Sequence, residues 1–296
     1  MRKNKIKQIN YHPPVAYPLD LEIVSVLDLR QRVGDERLKP LLQYKFYALL
    51  MVTQGECSHV IDFKPVLSKP GSLILFHPGQ IHQFSLEQGW DGWIVSFHHE
   101  FLLPKQEPEQ KSNLAKFMED RLLTEQLDLQ NDEYRLVTDV IVQMKADTQL
   151  DQPADDVHGV LRHQLLALLL RLKIWQNQRL KQKNFTQSNL ERFKKLQQAV
   201  EESFSKWHRV AEYAQYLECS EKSLTRCTLE LAGISTKAFI ASRINLEAKR
   251  LLSYTDSAIK VISADLGFDE TTNFVKFFKN ETGCTPGEFR QISKQI

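Results

Sequence analysis

Cysteine is scarce. Cys57, Cys219, Cys227 and Cys284 are the only four in 296 residues, and no two form a C-x-x-C pair. That spacing argues against a disulfide scaffold and a structural zinc site, and leaves reduced thiols. A redox-sensing thiol at Cys57 or Cys219 is the functional alternative, but neither has an activating basic pair beside it. Long apolar runs are missing as well, and none approaches the roughly 20 residues needed to cross a bilayer. The basic start Met1-Arg2-Lys3-Asn4-Lys5 leads into no signal-peptide core, so the expectation is a cytoplasmic chain without a membrane partner. Charge of one sign is lacking too: 39 Lys and Arg stand against 37 Asp and Glu, a net charge of +2. Any affinity for a polyanion must then depend on where the charges sit. What is present suits a folded protein with two separate cores, since 42% of residues are hydrophobic and 26% charged.

The most informative stretch runs from Arg209 to Gln291. Val210, Ala211, Tyr213, Ala214 and Leu217 recur at helical spacing until Cys219-Ser220 interrupts them. Ser220 then caps a second helix predicted over Glu221 to Ala232, which Gly233 ends. Helix, tight turn, helix, stop is a helix-turn-helix pattern, and it recurs after about fifty residues. In the second copy Ile259, Val261, Ile262, Ala264 and Leu266 form the first apolar face, and Gly267 makes the turn. Asp269 is the expected cap of a helix from Glu270 to Thr282, which Gly283 ends. Between the copies, Thr236 to Tyr254 has no Pro or Gly and reads as one helix. At 1.5 Å per residue it is a strut of roughly 28 Å, close to the roughly 34 Å between successive major-groove segments on one face of a duplex.

Arg243-Ile244-Asn245-Leu246-Glu247-Ala248-Lys249-Arg250-Leu251-Leu252, then Leu266-Gly267-Phe268 and Phe274, resembles the AraC/XylS family of bacterial regulators. Phe277-Phe278-Lys279, Gly283, Thr285-Pro286 and Phe289-Arg290 follow in the order of that family's C-terminal signature. Thr285, Pro286 and Glu288 also make a strong helix start on physical grounds.

Face assignment selects the DNA-reading residues. Leu224 and Leu231 must point inward, which leaves Lys222, Thr225 and Arg226 outside on the first reading helix. On the second, Phe274, Phe277 and Phe278 read as core, leaving Thr271, Thr272, Val275 and Lys276 as base readers. The family's contact positions fall on the same residues. An arginine can grip guanine with two bonds, and Thr and Val methyls suit the thymine methyl. Ser223, Arg243, Lys249, Arg250 and Lys279 are candidate phosphate contacts, with some of the arginines and lysines expected to pair with Glu247 or Glu281 instead.

The N-terminal half has a different texture. Short apolar runs separated by Gly and Pro predict strands over Leu21 to Leu29, Lys45 to Thr53, Ser58 to Phe63, Ser72 to Phe76, Gln80 to Phe84 and Trp93 to Phe97. Such spacing suits an antiparallel sandwich or barrel. The run from Lys69 to His82 resembles the sensory half of the same family, a cupin-like barrel. His82 stands where a later metal ligand of many cupins would be, but the early strand Lys45 to Thr53 contains no His, and His77, His98 and His99 do not converge. The reading is therefore no metal and no cofactor. A small barrel can enclose one ligand, and Tyr47, His59, His82, Trp90 and Trp93 are candidates to line it.

Helical spacing takes over after Pro104. Leu114, Phe117, Met118 and Leu122 mark one helix, Leu136 to Met144 another, and Asp155 to about Lys181 a long third. In that third helix Leu161, Leu165, Leu168, Leu172 and Trp175 form a coiled-coil-like seam, expected to be the interface of a homodimer. Arg179 to Ser188 reads as a linker, and Ser188 with Glu191 as the capping box of the next helix.

The expected architecture is α+β and multidomain. A cupin-like sensory and dimerisation domain spans 1–178, with its antiparallel β-barrel about 15–100 and helices about 112–178. A linker follows at 179–188. An all-α DNA-binding domain spans 189–296, with helix-turn-helix motifs about 209–233 and 258–283 joined by a linker helix at 236–254. The resemblance implies a non-enzymatic transcription regulator, more often an activator. Its partners would be promoter DNA, a second copy, RNA polymerase and a small-molecule effector. The competing readings are a regulator that needs no effector or is controlled by a partner protein, with the barrel as a dimerisation scaffold, and a metal-dependent cupin enzyme.

Overall fold

The computed structural model describes residues 7–9, 21–87, 89–102, 126–182 and 185–293. Two compact units divide the chain, one of Lys7–Gln178 and one holding Arg179–Ile296.

In the first unit, strands β1 (Lys7–Ile9), β3 (Leu42–Tyr44), β8 (Ile81–Gln83), β5 (Cys57–Ile61) and β6 (Lys64–Ser68) form one sheet in the order β1-β3-β8-β5-β6. The second sheet runs β10-β7-β4-β9-β2, from β10 (Leu127–Asp128), β7 (Ser72–Phe76), β4 (Tyr47–Gln54), β9 (Asp91–Phe97) and β2 (Leu21–Ser25). Every pairing is antiparallel except β1 with β3.

The second sheet is covered on both faces, which explains why β4 and β7 read as unbroken apolar runs. Successive side chains point to opposite faces. Ala48, Leu50, Val52, Ile74 and Phe76 enter a core with residues of the first sheet, while Leu49, Met51, Leu73 and Leu75 pack against helices. Those helices are α4 (Asn131–Asp147) and α5 (Ala154–Gln182). Among the described residues they follow three short ones, α1 (Val26–Val33), α2 (Asp35–Leu38) and α3 (His99–Leu102).

Several expectations are corrected here. Leu21 to Leu29 is not one strand, because the Ser25 hydroxyl accepts a bond from Asp28 N at 3.0 Å and starts α1. Strand β6 went unpredicted because it contains Pro65, which is tolerated on this sheet edge. The helix expected around Leu114 to Leu122 lies outside the described residues. The coiled-coil-like seam of α5 is the largest correction. Leu161, Leu165, Leu168 and Leu172 are at most 1% exposed and belong, with Trp175 packed beside them, to the unit's own core against the sheet. Among the described residues of α5, the large apolar side chains left exposed are Val160, Leu170 and Ile174. A 4-3-4-3 spacing marks a buried face without saying whether the cover is a partner helix or a sheet.

The second unit is helical throughout its described residues. It comprises α6 (Gln187–Ser203), α7 (Val210–Tyr216), α8 (Glu221–Ala232), α9 (Thr236–Tyr254), α10 (Ile259–Asp265), α11 (Thr271–Thr282) and α12 (Pro286–Ser293). Thr186, not Ser188, caps α6, its side chain accepting from Asn189 N. The expected linker is partly helical, since α5 runs to Gln182.

Two small cores share α9 as a common wall. Its Ile240 and Ile244 join Leu196, Val200, Tyr213 and Leu224. One to two turns further on, Ala248 and Leu252 join Ile262, Leu266, Phe274 and Phe278. Phe204, Phe268 and Phe277 pack against both. Burial on both halves of one uninterrupted helix makes the two helix-turn-helix motifs a single body.

Candidate nucleic-acid interface and ligand cavity

The two motifs are built alike. In the first turn Leu217 N bonds Tyr213 O, Glu218 N bonds Gln215 O and Cys219 N bonds Ala214 O. In the second, Leu266 N bonds Ile262 O, Gly267 N bonds Ala264 O and Phe268 N bonds Ser263 O. Each reading helix then ends at a left-handed glycine, Gly233 or Gly283. The starts differ. Ser220 caps α8 by accepting from Ser223 N, whereas Glu270 stands at the cap of α11 without a side-chain bond to the backbone. The expected cap, Asp269, is displaced because the second turn holds one more residue.

Matched from cap to glycine, Lys222 corresponds to Thr272, Thr225 to Val275 and Arg226 to Lys276. Lys222, Arg226, Thr272 and Lys276 are exposed, and Thr225, Thr271 and Val275 half-buried, while Leu224, Cys227, Thr228, Phe274 and Phe278 hold the inner face. The Thr272 hydroxyl donates to Glu270 at 3.1 Å. Lys222, Ser223, Thr225 and Arg226 line one shallow surface depression with Leu229. With Ser220 and Glu230 at its border the patch combines two cations, three hydroxyls, one acid and an apolar floor, and its cations and hydroxyls suit phosphate and base edges.

The candidate phosphate contacts separate into two groups. Ser223 is half-buried near the start of α8 and Lys279 is exposed on α11. Arg243 and Arg250 are corrections, because both are turned into the protein. The Arg243 guanidinium is held by Glu201 at 2.9 Å and Glu247 at 3.0 Å, with its side chain 11% exposed, and it lies 3.9 Å over the Phe204 ring. Arg250 is 4% exposed and reaches the same Glu247 carboxylate. Both are structural cations, and the sequence signal available was acid at helical spacing, Glu247 lying one turn from each.

In the first unit a cavity of about 200 Å³ opens between the sheets. Phe46, Leu50, Phe76, Phe84 and Ile94 supply apolar wall, and Tyr44, His82 and Ser96 supply polar atoms. At its rim Arg32 and Glu22 form an ion pair at 2.5 Å. Of the candidate lining residues, His82 is in place and His59 lies behind it, fully buried. Tyr47 and Trp93 are corrections: strand parity turns them to the outer face, against the helices. Trp90 packs on His59 with centroids 5.1 Å apart and does not line the cavity. Tyr44, Phe46 and Arg32 were missed: Tyr44 because a strand of three residues gives little periodic signal, Phe46 because it sits in the bend between β3 and β4 and not in the strand expected from Lys45, and Arg32 because the strand expected over Leu21 to Leu29 hid the helix that carries it. Cys57 is fully buried and its thiol is pushed up to about 12 by burial and by the nearby Glu87 carboxylate. It holds no thiolate character at neutral pH.

Two matched reading helices on one strut, joined to a double-sheet unit with an internal cavity, define a helix-turn-helix protein with an appended ligand-binding-type domain. The chain belongs to the AraC family. The model for the AraC-like ligand binding domain matches residues 35–190, more than half of the chain, and that for a helix-turn-helix domain matches 213–292. An uncharacterized HTH-type transcriptional regulator of Bacillus subtilis, YisR, is 31% identical over 94 residues, 31% of this chain and 32% of that protein. The arabinose operon regulatory protein of Escherichia coli is 33% identical over 81 residues, 27% of this chain and 28% of that protein. Each similarity thus spans about a third of the curated relative or less. Among solved structures, ToxT from Vibrio cholerae matches 83% of this chain and 90% of its own at 16% identity and a TM-score of 0.40.

Proposed function

We propose that this protein is a sequence-specific transcription regulator that binds promoter DNA through both reading helices and is controlled by a small molecule in the cavity between its sheets. The observation that carries the reading is the matched display of Lys222, Thr225 and Arg226 beside Thr272, Val275 and Lys276 on two helices fixed to one strut. Thr271 reads with the second set, and Ser223 and Lys279 contact phosphates. The DNA-binding role places the protein in the cytoplasm and makes RNA polymerase its natural protein partner, with activation the expected outcome. We assign it no catalytic reaction. The functional unit is a homodimer that presents four reading helices.

Control needs the effector to bind one arrangement of the dimer better than another, because equal affinity shifts nothing. The open cavity supports this over a barrel that serves only as a scaffold, in which the same volume would be filled by side chains.

Selection of bound sites from a random DNA pool with the full chain tests the reading. Two major-groove blocks about one helical turn apart are expected. Arg226→Ala should cost roughly 1 to 3 kcal/mol and relax preference at one base position. Failure to enrich any motif at low salt, with the full chain and with residues 185–296, removes the proposal.

A further inference from the structure

His59 on β5 and His82 on β8 touch through their ring nitrogens, His82 Nε2 to His59 Nδ1 at 3.3 Å. A third group fixes where the protons lie. The backbone N–H of Ser85 donates to His59 Nδ1 at 3.3 Å, and a backbone amide nitrogen only donates. His59 Nδ1 is therefore an unprotonated acceptor, and the proton of the neutral ring stays on Nε2, 3.2 Å from Cys57 Sγ. Two lone pairs do not bond each other, so His82 Nε2 carries the proton directed at His59.

What remains on His82 is Nδ1, a bare lone pair. It is buried, and among the described residues no hydrogen-bond donor reaches it. Addition of a second proton gives no escape, because burial and the neighbouring His59 push His82 well below the usual imidazole range. Among the described residues that line the cavity, His82 thus supplies the one buried side-chain acceptor left unmatched, which an incoming donor would satisfy.

The rest of the cavity limits what can bring that donor. Its volume of about 200 Å³ is ring-sized, since an apolar cavity of about 150 Å³ takes up benzene. Phe76 stacks on His82 with centroids 4.3 Å apart, so the acceptor sits in an aromatic wall. Arg32, the one cation among the described lining residues, already pairs with Glu22, so these residues offer an anionic group no free counter-charge.

Taking the cavity as the effector site proposed above, we infer that it selects a small neutral molecule with a ring-sized apolar body and one O–H or N–H group that donates to His82 Nδ1. A monocyclic phenol is the simplest example. His82 then sets specificity as an acceptor: it favours the donor-bearing molecule over one of the same shape that lacks the donor.

Calorimetric titration of the full chain with p-cresol, toluene, 4-methylanisole and p-toluate tests this. Binding of p-cresol at least about tenfold tighter than the other three is expected, as for a donor that satisfies a buried acceptor. His82→Phe should bring p-cresol to the level of toluene, and where that variant does not fold, His82→Gln should keep a preference for p-cresol through its amide oxygen. Long-range proton–nitrogen correlation on the histidine-labelled wild type reads the tautomer directly and should place the His82 proton on Nε2. Equal affinity for toluene and p-cresol, or a proton on Nδ1, overturns the inference and leaves the cavity as a ligand site. No binding of any probe overturns it together with the assignment of the cavity, while DNA selection decides the regulator reading on its own.

Discussion

Glu218 stands in the turn of the first helix-turn-helix where Gly267 stands in the second, and both adopt the left-handed conformation, with φ of 50° and 80°. The two N–H groups make equivalent bonds to the carbonyls of Gln215 and Ala264. Only the second position is closed to a side chain. A Cβ on Gly267 would come within 2.1 Å of Ser205 O. Left-handed backbone costs a non-glycine residue on the order of 1 kcal/mol. Relief of that strain is partly offset by the greater unfolded-state freedom of glycine, so Glu218→Gly should stabilise the helical unit by up to about 0.5 kcal/mol, while Gly267→Ala should destabilise it by more than that, with both read as shifts in urea midpoint. A loss of stability in Glu218→Gly would mean that the glutamate side chain holds the turn in a way its backbone does not reveal.

The ion cluster on α9 gives a second test. Arg243→Ala leaves Glu201 and Glu247 facing each other, 25% and 20% exposed, without their shared cation. Breaking such a pair should cost roughly 2 to 4 kcal/mol of stability. DNA affinity measured where the variant remains folded should keep the wild-type salt dependence. A phosphate contact would behave in the opposite way, lowering the log–log salt slope by about 1 with little loss of stability.

How much of this was legible beforehand depended on whether the signal was local. Caps, stops and apolar periodicity are properties of neighbouring residues, so Ser220, Gly233, Thr285 and the span Thr236–Tyr254 stood out in the chain. The reading-helix faces followed from periodicity alone, since Leu224 and Phe274 had to be inside. Pairing partners are not local. The sequence could not say that Arg243 meets Glu201, from a different helix, or that Tyr47 and Trp93 lie on the helix-covered face of a sheet. Nor does the spacing of His59 and His82 show that strand pairing brings the two rings together with an unused nitrogen left over.

Those histidines also make stability depend on pH. His59 is held neutral, pushed down from 6.5 to about 4 by burial against the weaker opposing pull of Glu87, and burial with the neighbouring His59 holds His82 well below the usual imidazole range. In the unfolded chain both protonate near 6.5, so the unfolded state binds more protons below that pH. The stabilisation is complete above pH 6.5 and is lost as pH falls towards 4, by on the order of 3 kcal/mol for His59 alone. Asp35 and Glu288, whose carboxyls are lowered by Arg30 and by capping bonds from Thr285, lose their contribution as pH falls through the ordinary carboxyl range, below the span from pH 7 to pH 5. Denaturation of the sheet unit, followed from pH 7 to pH 5, should show falling stability, and a His59→Gln, His82→Phe variant should show a flatter profile. An identical slope in that variant would place the titrating groups elsewhere.

The last test concerns which face of α5 meets a second copy. Leu168 is 1% exposed within its own unit, packed in the core shared with the sheet. Leu168→Asp would bury an unpaired charge and should unfold the unit, with a cost of several kcal/mol expected for a buried uncompensated ion. Loss of dimer in that variant would therefore say nothing about the interface. Ile174 is 53% exposed, with Leu170 and Val160 at 43% and 45% on the same helix. Charge at Ile174 costs the folded monomer little, because the position is solvated when alone. In the homodimer proposed above, Ile174→Asp should leave the circular dichroism spectrum and urea midpoint of the isolated unit in place while halving the sedimenting mass. A dimer that survives Ile174→Asp and Leu170→Asp together would take α5 out of the interface.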